Sequence, residues 1–213
     1  IVSGVRLSGF DARIISTDRR SVRTSLGLRK NQIGVLTIAR LISWKGLEDL
    51  IRAVAFLPNN VQLYIVGWGP IEHQLRSLAK NEGVVDRVHF LLSRSDVPEL
   101  LAASDLYVQA HRYASDGRVW EGPNTSQMEA CAALLPSVST AVPRIERLIE
   151  DGLTGVLAEP NNPRDLARAI DSLIKDPSWA FALAKAARGR VEECYSTDIM
   201  ARNYQLLYEL ARR

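Results

Sequence analysis

A doubly wound α/β domain on a mostly parallel sheet is the fold class this sequence predicts, and three observations predict it. Short β-branched runs alternate with longer stretches of helical period, the pattern of consecutive βαβ units. Residues 34–39 (GVLTIA) and 61–66 (VQLYIV) read as buried strands. The stretch after the first places Leu47, Leu50, Ile51 and Val54 on one helical face, at i, i+3, i+4 and i+7.

The remaining elements follow the same alternation. Gly67-Trp68-Gly69-Pro70 halts the second strand, and Pro70 suits the first turn of a helix carrying Ile71, Leu75 and Leu78. Residues 88–91 form a third strand. Asp96 and Glu99 then make a capping box for a short helix ending at Ala103. A fourth strand over 106–109 is followed by a long polar loop over 110–123, a helix over 124–134 and a strand over 137–140. A short helix over 145–149 and a strand over 155–158 come next. Asn162-Pro163 starts a helix with Leu166, Ala169, Ile170 and Leu173 on one face. Asp176-Pro177 breaks it, a second helix runs to Glu193, and a third occupies 197–210. Residues 1–33 look less regular and read as the lead-in from another domain. Residues 34–193 form the main domain, and 194–213 a terminal helix whose Met200, Tyr204, Leu207 and Tyr208 would face that other domain.

Composition narrows the function classes. The chain has 213 residues, 46% hydrophobic and 24% charged, enough to bury a core without staples. A net charge of +3 without a Lys/Arg block argues against nucleic acid and suits small anionic ligands; contact with an anionic membrane surface is a weaker inference. Cys131 and Cys194 are far apart and read as buried free thiols of a reducing compartment, with a disulfide as the alternative. No apolar run reaches 18 residues and no signal-peptide pattern is present, so a cytoplasmic place is expected. Beginning at Ile1 rather than Met, the chain reads as an excised domain.

In open parallel sheets, ligands bind beyond the carboxyl ends of the strands. Three loops there have suitable content. In Ala39-Arg40-Leu41-Ile42-Ser43-Trp44-Lys45-Gly46, Arg40 offers a planar donor fork and Lys45 a mobile point charge, together able to neutralise a diphosphate; two solvated cations flanking a turn are the ordinary alternative. In the second loop, Gly67 and Gly69 would let backbone approach a ligand, or simply make a tight strand-to-helix turn; the third glycine of a dinucleotide fingerprint is missing. The third is Glu121-Gly122-Pro123-Asn124-Thr125-Ser126-Gln127-Met128-Glu129. Asn124 and Gln127 would cap a helix whose first N–H groups, near Thr125 and Ser126, point at an anion. Glu121 and Glu129 would accept hydrogen bonds from hydroxyls at different parts of one ligand. Met128, Cys131, Ala132 and Leu135 form the core face of that helix. His111 reads as a polar loop residue, with a sugar contact as the alternative. Asp116 and Arg118 sit in a long loop suited to a lid. Trp44, Trp68 and Trp120 flank the motif loops, where they would stack on a ligand or pack locally.

The order R-x4-K-G, then G-x-G-P, then E-x7-E followed by Ala resembles the C-terminal domain of family 4 glycosyltransferases of the GT-B fold. The resemblance runs over about residues 3–210. Ser3-Gly4-Val5 is similar to the family's interdomain G-V-D, with Arg6 in place of Asp. Residues 88–91 and 102–108 match its V-x-F and A-A-x-D-x-x-V segments. The resemblance implies a Rossmann-like, donor-binding half of a GT-B enzyme that transfers a sugar from a UDP- or GDP-sugar to a carbohydrate or lipid-linked acceptor, with retention and without metal or other cofactor. It implies that Arg40 and Lys45 grip the diphosphate and Glu129 the ribose hydroxyls. Glu121 would hold the transferred sugar, Gly122, Pro123, Asn124, Thr125 and Ser126 would line the site, and residues from Leu91 to Arg94 would meet the base. An N-terminal domain would supply the acceptor site, leaving this part nearly inactive alone.

Two departures stand out. Leu134 replaces a glycine usual after the second glutamate, and Pro143-Arg144-Ile145-Glu146-Arg147 replaces a Gly-Gly loop, where Arg144 would add a phosphate contact. They motivate a second reading, a degenerate non-catalytic binding or scaffolding module. A dinucleotide-dependent enzyme is a third.

Overall fold

The structure, a computed structural model, describes residues 4–113 and 123–212. In chain order the elements are α1 (Leu7–Ser16), α2 (Arg19–Ser25), β1 (Ile33–Ile38), α3 (Leu47–Val54), β2 (Val61–Val66), α4 (Glu72–Asn81), β3 (Val88–Phe90), α5 (Val97–Ala103) and β4 (Leu106–Gln109). They continue with α6 (Thr125–Ala132), β5 (Ser137–Thr140), β6 (Val156–Ala158), α7 (Pro163–Lys175), α8 (Pro177–Cys194) and α9 (Thr197–Ala211). The six strands form one sheet in the order β3-β2-β1-β4-β5-β6. Every pairing is parallel, with Ile33 opposite Val61 and Tyr107 opposite Ser137. This is the doubly wound architecture that the alternation predicts, and β2, β4 and β5 have the predicted limits.

Burial on both faces explains the apolar strands. All six residues of β2 are buried. One face is covered by α3, α4 and α7, whose Leu50, Ile51, Leu75, Leu166 and Ile170 are removed from water. The other is covered by α5 and α6, with Leu100, Leu101, Met128 and Cys131 in its core. Helix α8 reaches from one face to the other, placing Leu183 in the first core and Ala187 and Val191 in the second. Each fully buried Leu or Ile contributes about 1.5–3 kcal/mol. Both cysteines are free; Cys131 is buried, which pushes its thiol up to about 12, whereas Cys194 is exposed at the end of α8, against the expectation of burial.

Two local expectations fail. Residues 7–16 and 19–25 are helical, in α1 and α2, where a less regular lead-in is expected. Their packing rests on few apolar residues: Phe10 is the one buried residue of α1, and α2 has none. Partly buried Leu7, Ile14 and Val22 also pack on the second core, and ion pairs fasten the two helices further. Arg13 grips Glu99 on α5, Asp11 takes both guanidinium nitrogens of Arg188 on α8, and Arg19 and Arg23 share Asp105. Asp105 also accepts from the N–H of Gly34, tying α2 to the starts of β1 and β4. The capping box at Asp96 and Glu99 is also absent. Asp96 pairs with Arg94 and makes no side-chain cap, while Glu99 turns to Arg13. Two parallel charge-assisted bonds outweigh one bond to an exposed N–H.

Residues 4 and 5 return to the far end of the chain. Val5 N donates to Tyr195 O at 2.7 Å and Thr197 N to Val5 O at 3.0 Å, beside the start of α9. That helix leaves Tyr204, Leu206, Leu207, Tyr208 and Leu210 exposed. Among the described residues no helix is long and apolar enough to cross a membrane.

Candidate functional site

Strands β1 and β4 are neighbours at the centre of the sheet, where its order reverses. The chain leaves β1 towards one face and β4 towards the other, so the two loops part above the strand ends and open a crevice.

The loop after β1 is braced by backbone. Ala39 N donates to Val66 O and Leu41 N to Trp68 O, both at 3.0 Å. Gly67 has φ +140°, and a Cβ there would lie 1.9 Å from Ala39 O; one at Gly69 would lie 2.3 Å from Leu41 O. The close approach that these glycines permit is therefore to the neighbouring loop. The loop after β3 joins them, since Leu91 N donates to Ile65 O and Gly67 N to Leu92 O. Trp68 stands 64% exposed on this rim and Trp44 is half-buried, so neither is core.

Residues Ser43–Lys45 form a 3-10 turn closed by Gly46 in the left-handed region. The turn lies directly on the end of β4: Arg112 N donates to Trp44 O at 3.1 Å. Lys45 is consequently only 8% exposed, and its Nζ lies 3.1 Å from His111 Nε2. The expectation of a mobile point charge, or of a solvated cation, fails for Lys45 because the turn folds it inward. Arg40 is exposed in the same loop.

His111 is equally unlike the polar loop residue expected of it. It is 4% exposed, its Nδ1 lies 2.9 Å from Gln109 Nε2, and its carbonyl accepts from Thr140 Oγ1 on β5. Burial, and then the Lys45 charge, push its pKa down to about 3, so the imidazole is neutral near pH 7. Sequence reading missed the Gln109–His111 pair, although a signal was present. Tyr107, Gln109 and His111 alternate along one side of a strand that is otherwise apolar, and buried polar groups require partners.

The start of α6 faces the same strand ends. Asn124 Oδ1 caps the helix by accepting from Gln127 N at 2.8 Å, as expected, but the Gln127 side chain does not complete a capping box because it is turned inward to Ser139. The Ser126 hydroxyl lies 3.1 Å from Ile38 O, at the end of β1, and accepts from Tyr107 OH at 2.9 Å. The first N–H groups of α6, at Thr125 and Ser126, lack intrahelical partners and suit an anion. One turn further, Glu129 is half-buried and its pKa is raised by desolvation; that of Tyr107 is raised above all by its own burial, with a smaller contribution from the Glu129 charge. Gln127 is fully buried and bonds Ser139, while Met128, Cys131, Ala132 and Leu135 pack in the core as expected. Glu121, Gly122, Trp120, Asp116 and Arg118 lie outside the described residues, and half-buried Pro123 leads into Asn124. The fold thus brings together the loop of Arg40 and Lys45, His111, and the start of α6.

The two departures keep glycine-like backbone. Leu134 has φ +57° and Arg144 φ +71°, so each retains the left-handed conformation that glycine adopts most easily.

The sequence matches the family described as glycosyl transferases group 1 over residues 18–190. It is 27% identical to an uncharacterized glycosyltransferase of Methanocaldococcus jannaschii, over 99% of this chain and 53% of that protein. With the lipopolysaccharide glucosyltransferase WaaG of Escherichia coli the identity is 31%, over 82% of this chain and 46% of the other. The chain spans about half the length of the curated relatives it matches. Among solved structures, Anabaena HepE in complex with UDP superposes with a TM-score of 0.83 at 26% identity, covering 99% of this chain and 56% of HepE. A six-stranded parallel sheet of this order, the same fold as in that GT-B structure, and a family match over most of its length lead to one conclusion: the chain belongs to the glycosyl transferases group 1 family, as a domain of the C-terminal GT-B type.

Proposed function

We propose that this chain is the donor-binding domain of a retaining glycosyltransferase that moves a sugar from a UDP- or GDP-sugar to a carbohydrate or lipid-linked acceptor. The observation that carries the proposal is the inward-folded Lys45 in the loop after β1, at the strand-order reversal, with the start of α6 meeting the end of that same strand through Ser126 and Ile38. A cation and a helix N-terminus offer what a departing diphosphate needs, namely fixed positive charge that need not reorganise during the reaction. Arg40, exposed in the same loop, would supply a second cation. Glu129 would accept the ribose hydroxyls, and its half-buried, solvent-poor position strengthens such bonds. By the family resemblance, Glu121 would hold the transferred sugar, and residues from Leu91 would meet the base. HepE has been solved with UDP-glucose, at 26% identity to this chain, which supports a nucleotide-sugar donor. The glycine-like backbone at Leu134 and Arg144 weakens the motive for a degenerate module.

The exposed apolar side of α9 is the surface we assign to packing on an N-terminal domain that supplies the acceptor site. The expected place of action is the cytoplasm, with peripheral contact at the inner face of the membrane.

Calorimetric titration with UDP, GDP and their sugars tests the proposal. Binding of at least one, weakened roughly tenfold or more by Lys45→Ala, is expected; a desolvated charge-assisted contact has that worth. Failure of all of them to bind at millimolar concentration would refute it.

A further inference from the structure

Lys45 does not stand at the crevice by its own packing alone. Its ammonium has three hydrogens to give and no lone pair, so the His111 Nε2 at 3.1 Å must be the acceptor. The ring hydrogen then resides on Nδ1. Gln109 reaches that nitrogen at 2.9 Å, and its Oε1 is a buried oxygen without a partner among the described residues. An N–H cannot usefully face an N–H. Turning the Gln109 amide by half a rotation presents Oε1 to Nδ1–H and satisfies the buried oxygen in the same step; amide oxygen and nitrogen are interchangeable in shape. The chain Gln109 Oε1, His111 Nδ1–H, His111 Nε2, Lys45 Nζ is therefore polarised in one direction, with every donor pointing away from the cation. The backbone of His111 is also held, because Thr140 Oγ1 donates to its carbonyl.

We infer that His111, oriented by Gln109, is a positioning residue that aims the Lys45 ammonium at the donor's diphosphate. The burial of all three side chains is the physical reason for it: Lys45 is 8% exposed, and Gln109 and His111 are each 4% exposed. A charge so placed has lost most of its water, and a neutral acceptor at its back replaces part of that hydration without neutralising it. A carboxylate in the same position would cancel the charge that the diphosphate is to meet. The depressed pKa of His111 is consistent with this, since a second positive charge beside Lys45 is disfavoured. Nothing in the arrangement requires His111 to touch the donor or to exchange a proton.

The inference rests on the reading that Lys45 meets the diphosphate, and a double-mutant cycle separates the two. The full-length protein and its Lys45→Ala, His111→Ala and doubly substituted variants are titrated with UDP and GDP, and the tighter nucleotide is followed. His111→Ala should weaken binding roughly tenfold, the worth of a misdirected charge-assisted bond. In the Lys45→Ala background the same change should cost less than twofold, because its effect passes through Lys45. His111→Gln, which keeps an acceptor, should recover most of the affinity. His111→Leu, which fills the space without one, should not, and it serves in place of alanine if that variant fails to fold. An equal loss in both backgrounds, or an unchanged affinity in His111→Ala and His111→Leu while Lys45→Ala weakens binding, overturns the positioning role. If Lys45→Ala itself binds UDP and GDP as the unmodified protein does, the donor-site reading has failed and the inference falls with it.

Discussion

Replacing Gly46 with alanine should cost far more stability than the same change at Gly83, although both glycines have nearly the same backbone. Their φ angles are +63° and +70°, in the left-handed region where a Cβ costs about 1–2 kcal/mol. Their surroundings differ. A Cβ at Gly83 meets nothing within 4 Å, whereas one at Gly46 would lie 1.7 Å from the carbonyl oxygen of Ala110. That is roughly 1.6 Å short of an ordinary carbon–oxygen contact of about 3.3 Å. The turn cannot retreat easily, because Leu47 and Ala110 are both buried, and overpacking of this kind adds about 1–3 kcal/mol. The expected totals are about 3 kcal/mol at Gly46 and about 1 kcal/mol at Gly83. In a domain of this size they correspond to falls in melting temperature of roughly 10 °C and 3 °C. Urea titration and thermal unfolding of the two variants measure the difference directly. Gly46→Ala should also weaken nucleotide binding, since Lys45 is its neighbour, while Gly83→Ala should not. Equal losses of stability in the two variants would show that the contact between the turn and the end of β4 is not what holds Lys45 inward.

Two further predictions concern stability. Leu134→Gly should stabilise the protein by up to about 1 kcal/mol, because Leu134 holds φ +57° and, at 41% exposed, the relief of backbone strain outweighs the partial packing lost; a lower melting temperature would contradict this. Arg188→Ala should destabilise by about 1–2 kcal/mol at pH 7, the pair being discounted because Asp11 remains partly exposed. The Arg188 hydrogen bonds hold the Asp11 carboxyl below its usual value of 3.8, against the opposing effect of burial. The contribution of the pair is thus complete above the unfolded value and lost as pH falls through the lower folded one. Urea unfolding of both proteins from pH 7 to pH 2 should show their difference shrinking below about pH 4; a constant difference would exclude the pair as its source.

Much of the fold was legible in the residues themselves. Strands β2, β4 and β5, the caps at Asn124 and Asn162, and the apolar faces of α3 and α7 follow from local chemistry: period, burial of apolar runs, and a side-chain oxygen at a helix start. The motif loops and their cations could be named for the same reason, since each lies just past a recognisable strand. Tertiary structure decided the rest. Helices α1 and α2 are held by Asp11, Arg13, Arg19 and Arg23 reaching partners far along the chain, which no local period reveals. Whether Lys45 is solvated or folded inward depends on Gly46 meeting Ala110. Its bond to His111 joins residues 66 positions apart, and only the adjacency of β1 and β4 brings them within 3.1 Å. Sequence determines which groups a loop carries; the order of the strands determines which of those groups meet, because hydrogen bonds and charge interactions act over a few ångströms of space and are indifferent to distance along the chain.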